Sequence, residues 1–302
     1  MDAATQEGRS VVADENRWNA LQHKLHEQQL VAVFDLFRSH DVEPILIKGW
    51  AAARLYPPGV FRHIGDIDIA VSAADHPKAL HVLQTEEGKQ YFVDLHREFR
   101  RLDSAPWADI AARSQLIPLD GTTIRIPSPE DHLRLLCAHW LVDGGRHKEK
   151  LDDIKYAVET RPADFVWDIC FNAGGPVRRN WVITAIGVAH RYRGLSIDDL
   201  PFAEEARRLP SWIASAIEKE WKAGVELDPV LTKLSQGTEL VRQLRQRFPP
   251  NAIRCTIEMI RPFGDRAPRS LQAAVFARRS LNLLRNLPAA VVGIVKNYVN
   301  GN

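Results

Sequence analysis

The chain has 302 residues, 45% of them hydrophobic and 26% charged, a globular composition that excludes disorder over most of its length and leaves room for one large domain or for a core with a helical second half. Basic residues number 40 and acidic residues 38, a net charge of +2 that excludes a strong overall preference for an oppositely charged partner. The distribution is uneven: Pro229 to Asn302 holds 12 basic residues against 3 acidic, leaving 28 against 35, or −7, in the residues before it.

Residues 1–14 are polar and without period and read as an N-terminal tail. Trp18, Leu21, Leu25, Val33, Phe34 and Phe37 then recur at three- and four-residue spacings, predicting an amphipathic helix that ends near His40. Pro44 to Lys48, PILIK, is a short β-branched run bounded by Pro44 and Gly49 and reads as a buried strand; Trp50 to Tyr56 can form a helix, halted by Pro57-Pro58-Gly59. Asp66 to Val71, DIDIAV, alternates at period two, so Asp66, Asp68 and Ala70 share one face and Ile67, Ile69 and Val71 the other. A helix over Ala73 to Gln84 and a strand over Gln90 to His96 follow, the latter with Phe92, Asp94 and His96 on one face. Leu116 to Pro127 reads as a hairpin around Asp120-Gly121.

Beyond Pro127 the pattern becomes helical. Ser128-Pro129-Glu130-Asp131 supplies a cap, a proline for the first helical position and acids for the dipole. Helices are expected near Asp131–Val142, Lys148–Glu159, Ala163–Phe171, Val177–Tyr192, Pro210–Ala223, Leu231–Arg247 and Leu271–Leu287. The expected fold class is α/β (α+β), with a small mixed-sheet core over residues 15–127 flanked by helices and an all-helical region over 128–302. Cys137, Cys170 and Cys255 show no CxxC spacing and no even set, the N-terminus has no basic-then-apolar leader, and the longest apolar run, Leu287 to Val295, is too short to span a bilayer. A soluble, cytoplasmic protein is the expectation.

The strongest chemical signal is Asp66-x-Asp68 on one strand with Asp94 on another. Three carboxylates converging on a sheet repel unless cations neutralise them, and hard oxygen ligands suit Mg²⁺ or Mn²⁺. Such a two-metal site performs phosphoryl transfer. Lys48-Gly49 directly after the first strand offers a cation and a close backbone approach for phosphate, and Arg62 a planar donor for phosphate oxygens. His96 shares the face of Asp94, either as a metal ligand or proton carrier or as a hydrogen-bonding partner behind the ligands. Trp50, beside the phosphate turn, is placed either in the core or as a stacking platform for a base.

The stretch ILIKGWAAARLYPPGVFRHIGDIDIAV, followed by VDLH at Val93 to His96, resembles the bacterial uncharacterised nucleotidyltransferase family of the DNA polymerase beta-like superfamily. The resemblance covers about residues 20–160 and includes LRLLCAHWLVDGGRHKEKLDDIKYAV, in which His139 is either a functional group or a helix histidine bonded between sheet and helices, and Asp153 a hydrogen-bonding group between helices. It implies a nucleotidyltransferase core in which Asp66, Asp68 and Asp94 are the metal-binding and catalytic carboxylates, and Lys48, Gly49 and Arg62 bind the nucleotide phosphates. The implied reaction is metal-dependent transfer of a nucleoside monophosphate from an NTP to a small-molecule, peptide or protein acceptor, releasing pyrophosphate. The chain departs from the superfamily pattern at Trp50, where a serine is usual after the glycine, and in the short stretch between Val71 and Asp94. Those departures motivate a competing expectation, a non-catalytic nucleotide-binding or interaction protein on the same fold. The basic C-terminal region, Arg242 to Arg285, motivates another, an RNA-directed nucleotidyltransferase that binds nucleic acid there.

Overall fold

A computed structural model describes residues 3–99, 102–172, 175–223, 238, 241–243, 248–282 and 285. In chain order the elements are α1 (Ala3–Ser39), β1 (Ile45–Leu46), α2 (Trp50–Ala53), β2 (Ile67–Val71), α3 (His76–Val82), β3 (Val93–Arg97), α4 (Trp107–Arg113), β4 (Gln115–Leu119), β5 (Thr122–Ile126), α5 (Pro129–Val142), α6 (Leu151–Glu159), α7 (Trp167–Asn172), α8 (Gly175–Arg193), α9 (Ala203–Arg207), α10 (Ser211–Ala223) and α11 (Ala252–Glu258). Residues 269–282 are also helical. The fold is mixed α and β, and among the described residues helices alone follow β5, as the sequence pattern predicts. Among the described residues, no helix is long and apolar enough to cross a membrane.

Strand order in the three-stranded sheet is β1-β2-β3, with β1 antiparallel and β3 parallel to β2. The alternation of β2 decides how the sheet is covered. Ile67, Ile69 and Val71 pack against Leu30, Val33, Phe34 and Phe37 of α1, together with Ile124 and Ile126 of β5. On the opposite face Ala70, with Ile45 and Ile47, packs under Phe99, Leu102, Ile110 of α4 and Leu135 and Ala138 of α5. The other side of α5 supplies Leu133, Leu136, Cys137, Trp140 and Leu141 to a larger core shared with α6, α7, α8, α10 and α11. One helix thus joins the sheet to the helical half. The hairpin β4–β5 turns at Asp120 (φ 43°) and Gly121 (φ 86°), the two positive dihedrals that a two-residue turn with the strands' own twist requires.

Several elements differ from the sequence expectation. The stretch of residues 1–14 read as a tail is helical from Ala3, and Trp18, Leu21 and Leu25 are exposed, so the apolar part of the buried stripe of α1 begins only at Leu30, after the buried His26. The helix expected over Trp50 to Tyr56 is a single turn. Helices α4, α9 and α11, each seven residues or shorter, were not expected from the sequence pattern. The expected helix Leu231–Arg247 lies largely outside the described residues, as does the end of Leu271–Leu287.

Glu130 and Asp131, in the first turn of α5 where acids favour the dipole, are also buried and bonded. Glu130 accepts from the Val166 amide, and Asp131 accepts from Arg113 (3.0 Å) and from Arg134. Arg134, 1% exposed, also donates to Asp103 (2.7 Å) and to the carbonyls of Ile169 and Cys170. Each buried charge therefore has a partner, as burial of ions demands, and the loop after β3 is tied to α5 and α7.

Candidate active site

Asp68 lies on the face of β2 opposite α1, one alternation before Ala70, at the edge of the apolar cover that α4 and α5 place over that face. Its side chain is 1% exposed. The parallel register sets Asp68 directly beside Asp94 of β3, and His96 follows two residues on along the same face. Asp94 is more than half exposed and His96 about one third, so the group opens to solvent from β3. The His96 Nε2 stands 3.2 Å from Asp94 Oδ2 and 3.5 Å from Asp68 Oδ1, and the Lys48 Nζ 2.8 Å from Asp68 Oδ1. None of the contacts to Asp68 Oδ1 is aligned as a hydrogen bond, and the buried Nε2 of His96 likewise lacks an aligned partner. One donor atom each from Asp68, Asp94 and His96 lies within 4.8 Å of the others, a grouping that can hold a cation. Burial opposes ionisation of Asp68, but the His96 imidazole and the Lys48 ammonium outweigh it and hold the carboxyl below its ordinary value. Burial likewise opposes charge on His96, and Asp68 and Asp94 overcome it and raise its pKa.

Lys48 reaches Asp68 because the Ile47 amide donates to the Asp68 carbonyl (2.9 Å), extending the β1–β2 pairing to the last residue before the turn. The same ammonium lies 3.0 Å from the His139 Nε2 of α5. Burial first, with Lys48 and Lys150 adding to it, pushes His139 down to about 4, so the neutral imidazole accepts from Lys48 at Nε2 and carries its proton on Nδ1, facing Asp143 at 3.5 Å. Asp143 in turn pairs with Lys150 (2.9 Å). A line of alternating groups, Asp68, Lys48, His139, Asp143 and Lys150, thus runs from the sheet into the helical half. The i,i+4 spacing of His139 and Asp143 was visible in the sequence; their link to Lys48 was not.

Gly49 has φ +68°, a conformation that a side chain strains. The helix it opens, Trp50–Ala53, is one turn, too short to add much dipole attraction for an anion. Trp50 is buried in the α1-side core and donates to Glu27 Oε1 (3.0 Å), so it serves packing and offers no open face to a base. Arg62 donates through Nε and Nη2 to Asp153 (2.7 and 2.8 Å), which also accepts from the Tyr56 hydroxyl (2.7 Å). Asp153 is a hydrogen-bonding anchor, as the sequence suggested, but its partner is the loop before β2 rather than another helix. Asp66 stands just before β2, half-buried and outside the Asp68–Asp94–His96 grouping. In the basic C-terminal region Arg254, Arg278 and Arg279 all converge on Glu258.

A family model for uncharacterised nucleotidyltransferases matches residues 6–171, more than half of the chain, from α1 into α7. No curated protein and no solved structure matches the chain.

Proposed function

The chain belongs to the uncharacterised nucleotidyltransferase family, and from that membership we propose that it transfers a nucleoside monophosphate from an NTP to an acceptor, releasing pyrophosphate, in a reaction that depends on a divalent cation. The observation that carries this proposal is Asp68 beside Asp94 in parallel register, the former buried with an oxygen that no donor addresses in hydrogen-bond geometry. A buried carboxylate of that kind fits a cation.

Asp68 and Asp94 would hold Mg²⁺ or Mn²⁺, with Asp66 at the near end of β2. The bound cation would supply charge neutralisation at the phosphates and a more acidic acceptor hydroxyl. Lys48, on the turn beside Asp68, presents its ammonium to the phosphate oxygens, and Gly49 keeps the turn open. His139 accepts from Lys48 and orients it. Arg62 holds the loop that leads into β2 through Asp153, so in this arrangement its fork positions the strand rather than a phosphate. An acceptor would approach from the solvent side of the group, where Asp94 is exposed and His96 partly so.

The test is a thermal-denaturation panel of ATP, GTP, CTP and UTP with and without Mn²⁺, on wild type and Asp68→Asn, followed by transfer of α-labelled nucleotide to candidate acceptors. Ligand at a hundred times its Kd adds about 2.7 kcal/mol, a rise of roughly 4 °C for a chain of this size. A metal-dependent rise lost in Asp68→Asn supports the proposal; no rise with any nucleotide favours a non-catalytic protein on the same fold.

A further inference from the structure

Resting on the nucleotidyl-transfer reading above, we propose that the cation is held by two oxygens and a nitrogen, from Asp68, Asp94 and His96, and that the Lys48 ammonium is a resident counter-ion which the metal displaces from Asp68. The residue pattern alone places the metal on Asp66, Asp68 and Asp94 and leaves His96 open as a ligand or a partner behind them. In the folded chain Asp66 precedes β2 and lies outside the Asp68–Asp94–His96 grouping, whereas His96 shares the face of Asp94.

Spacing supports the three-donor set. Neighbouring donors on an octahedral ion with bonds of about 2.1 Å lie about 3 Å apart. The His96 Nε2 is 3.2 Å from Asp94 Oδ2 and 3.5 Å from Asp68 Oδ1. Both Asp68 Oδ1 and His96 Nε2 are buried atoms without an aligned hydrogen bond, and an ion between them would take the Asp68 oxygen in place of Lys48 and bind His96 as the neutral imidazole. Asp68 has its charge balanced by Lys48 at 2.8 Å, and Lys48 keeps a second acceptor in His139 at 3.0 Å, itself backed by Asp143. The ammonium can therefore leave Asp68 without losing every partner. An imidazole donor also moves preference away from Mg²⁺, which favours an all-oxygen shell, toward a transition-metal ion such as Mn²⁺, which accepts a mixed oxygen and nitrogen shell more readily.

The experiment titrates the full-length protein with Mn²⁺ alone, without nucleotide, following free aquo-Mn²⁺ by electron paramagnetic resonance and confirming the heat of binding by calorimetry. His96→Ala and the size-conserving His96→Gln are expected to weaken Mn²⁺ binding by about tenfold or more, Asp66→Asn to leave it within about twofold, and Lys48→Met to tighten it severalfold because the competing charge is gone. Mg²⁺ is expected to compete at least tenfold more weakly than Mn²⁺. Thermal melts of each variant check folding, and the two His96 variants change a partly exposed side chain. Loss of binding in Asp66→Asn with both His96 variants unchanged overturns the inference in favour of the Asp66–Asp68 pair and leaves nucleotidyl transfer standing. Weaker binding in Lys48→Met overturns the counter-ion role. Absence of Mn²⁺ binding to the wild type overturns the inference as a whole, while the nucleotide panel separately decides the reading on which it rests.

Discussion

Replacing Asp153 by alanine removes three hydrogen bonds at once, two from the Arg62 guanidinium and one from the Tyr56 hydroxyl. The Asp153 side chain is 4% exposed and that of Arg62 12%, so the variant leaves a largely buried cation without its carboxylate. Losing one member of such a pair costs about 3–5 kcal/mol. Near the melting temperature a chain of this length unfolds with an entropy of roughly 0.6 kcal/mol/K, so the midpoint should fall by about 5–8 °C in scanning calorimetry. The double variant Arg62→Met/Asp153→Leu, which replaces both ions by apolar groups of similar size, should recover most of that loss. Nucleotide binding in the double variant separates the two roles available to Arg62. Retained binding is expected if the arginine only anchors the loop before β2. Restored stability with lost nucleotide affinity would refute that account and return Arg62 to the phosphates, and a cost below about 1 kcal/mol for Asp153→Ala would refute the buried clamp itself.

Arg134→Met should cost about 3–5 kcal/mol, read as the urea midpoint, because Asp103 and Asp131 lose the guanidinium they share. Trp50→Phe should lose about 1 kcal/mol with the bond to Glu27 and leave nucleotide affinity unchanged; a large loss of affinity for one base would instead identify Trp50 as a stacking surface. His26, His132 and His139 are each pushed down to about 4, in every case first by burial. Because the native state binds these protons more weakly than the unfolded chain, their neutral forms contribute stability that is fully present above about pH 6.5 and lost as pH falls toward 4, at most about 3 kcal/mol each. Denaturation midpoints measured from pH 7 to 4 should decline through this window, and His132→Gln should flatten the decline.

The signals that were legible in the sequence were local ones. The alternation of DIDIAV assigned Asp68 and Ala70 to one face, the Asp120-Gly121 dipeptide placed the hairpin, and Ser128-Pro129 opened α5, whose Ser128 hydroxyl accepts from the Asp131 amide (3.3 Å). Asp94 was expected as a third carboxylate, although the stretch before it looked short; α3 and one turn of 3-10 helix suffice to return the chain to a parallel β3. Short helices such as α4 and α9 were illegible because their positions depend on what they cover and not on their own period.

The sequence by itself determined the mixed fold class, the change from strands to helices after Ile126, and the residue types of the site, because period, turn chemistry and capping act within a few neighbouring residues. Only the tertiary structure decided which of those residues meet. Registry between β2 and β3 put His96 with Asp68 and Asp94 and left Asp66 outside. The packing of α5 on the sheet brought His139 to Lys48, and the docking of α6 turned Arg62 toward Asp153. The physical reason is that these pairings join residues up to 91 positions apart. They are set by which apolar faces are buried against one another, a choice that no local stretch of chain encodes.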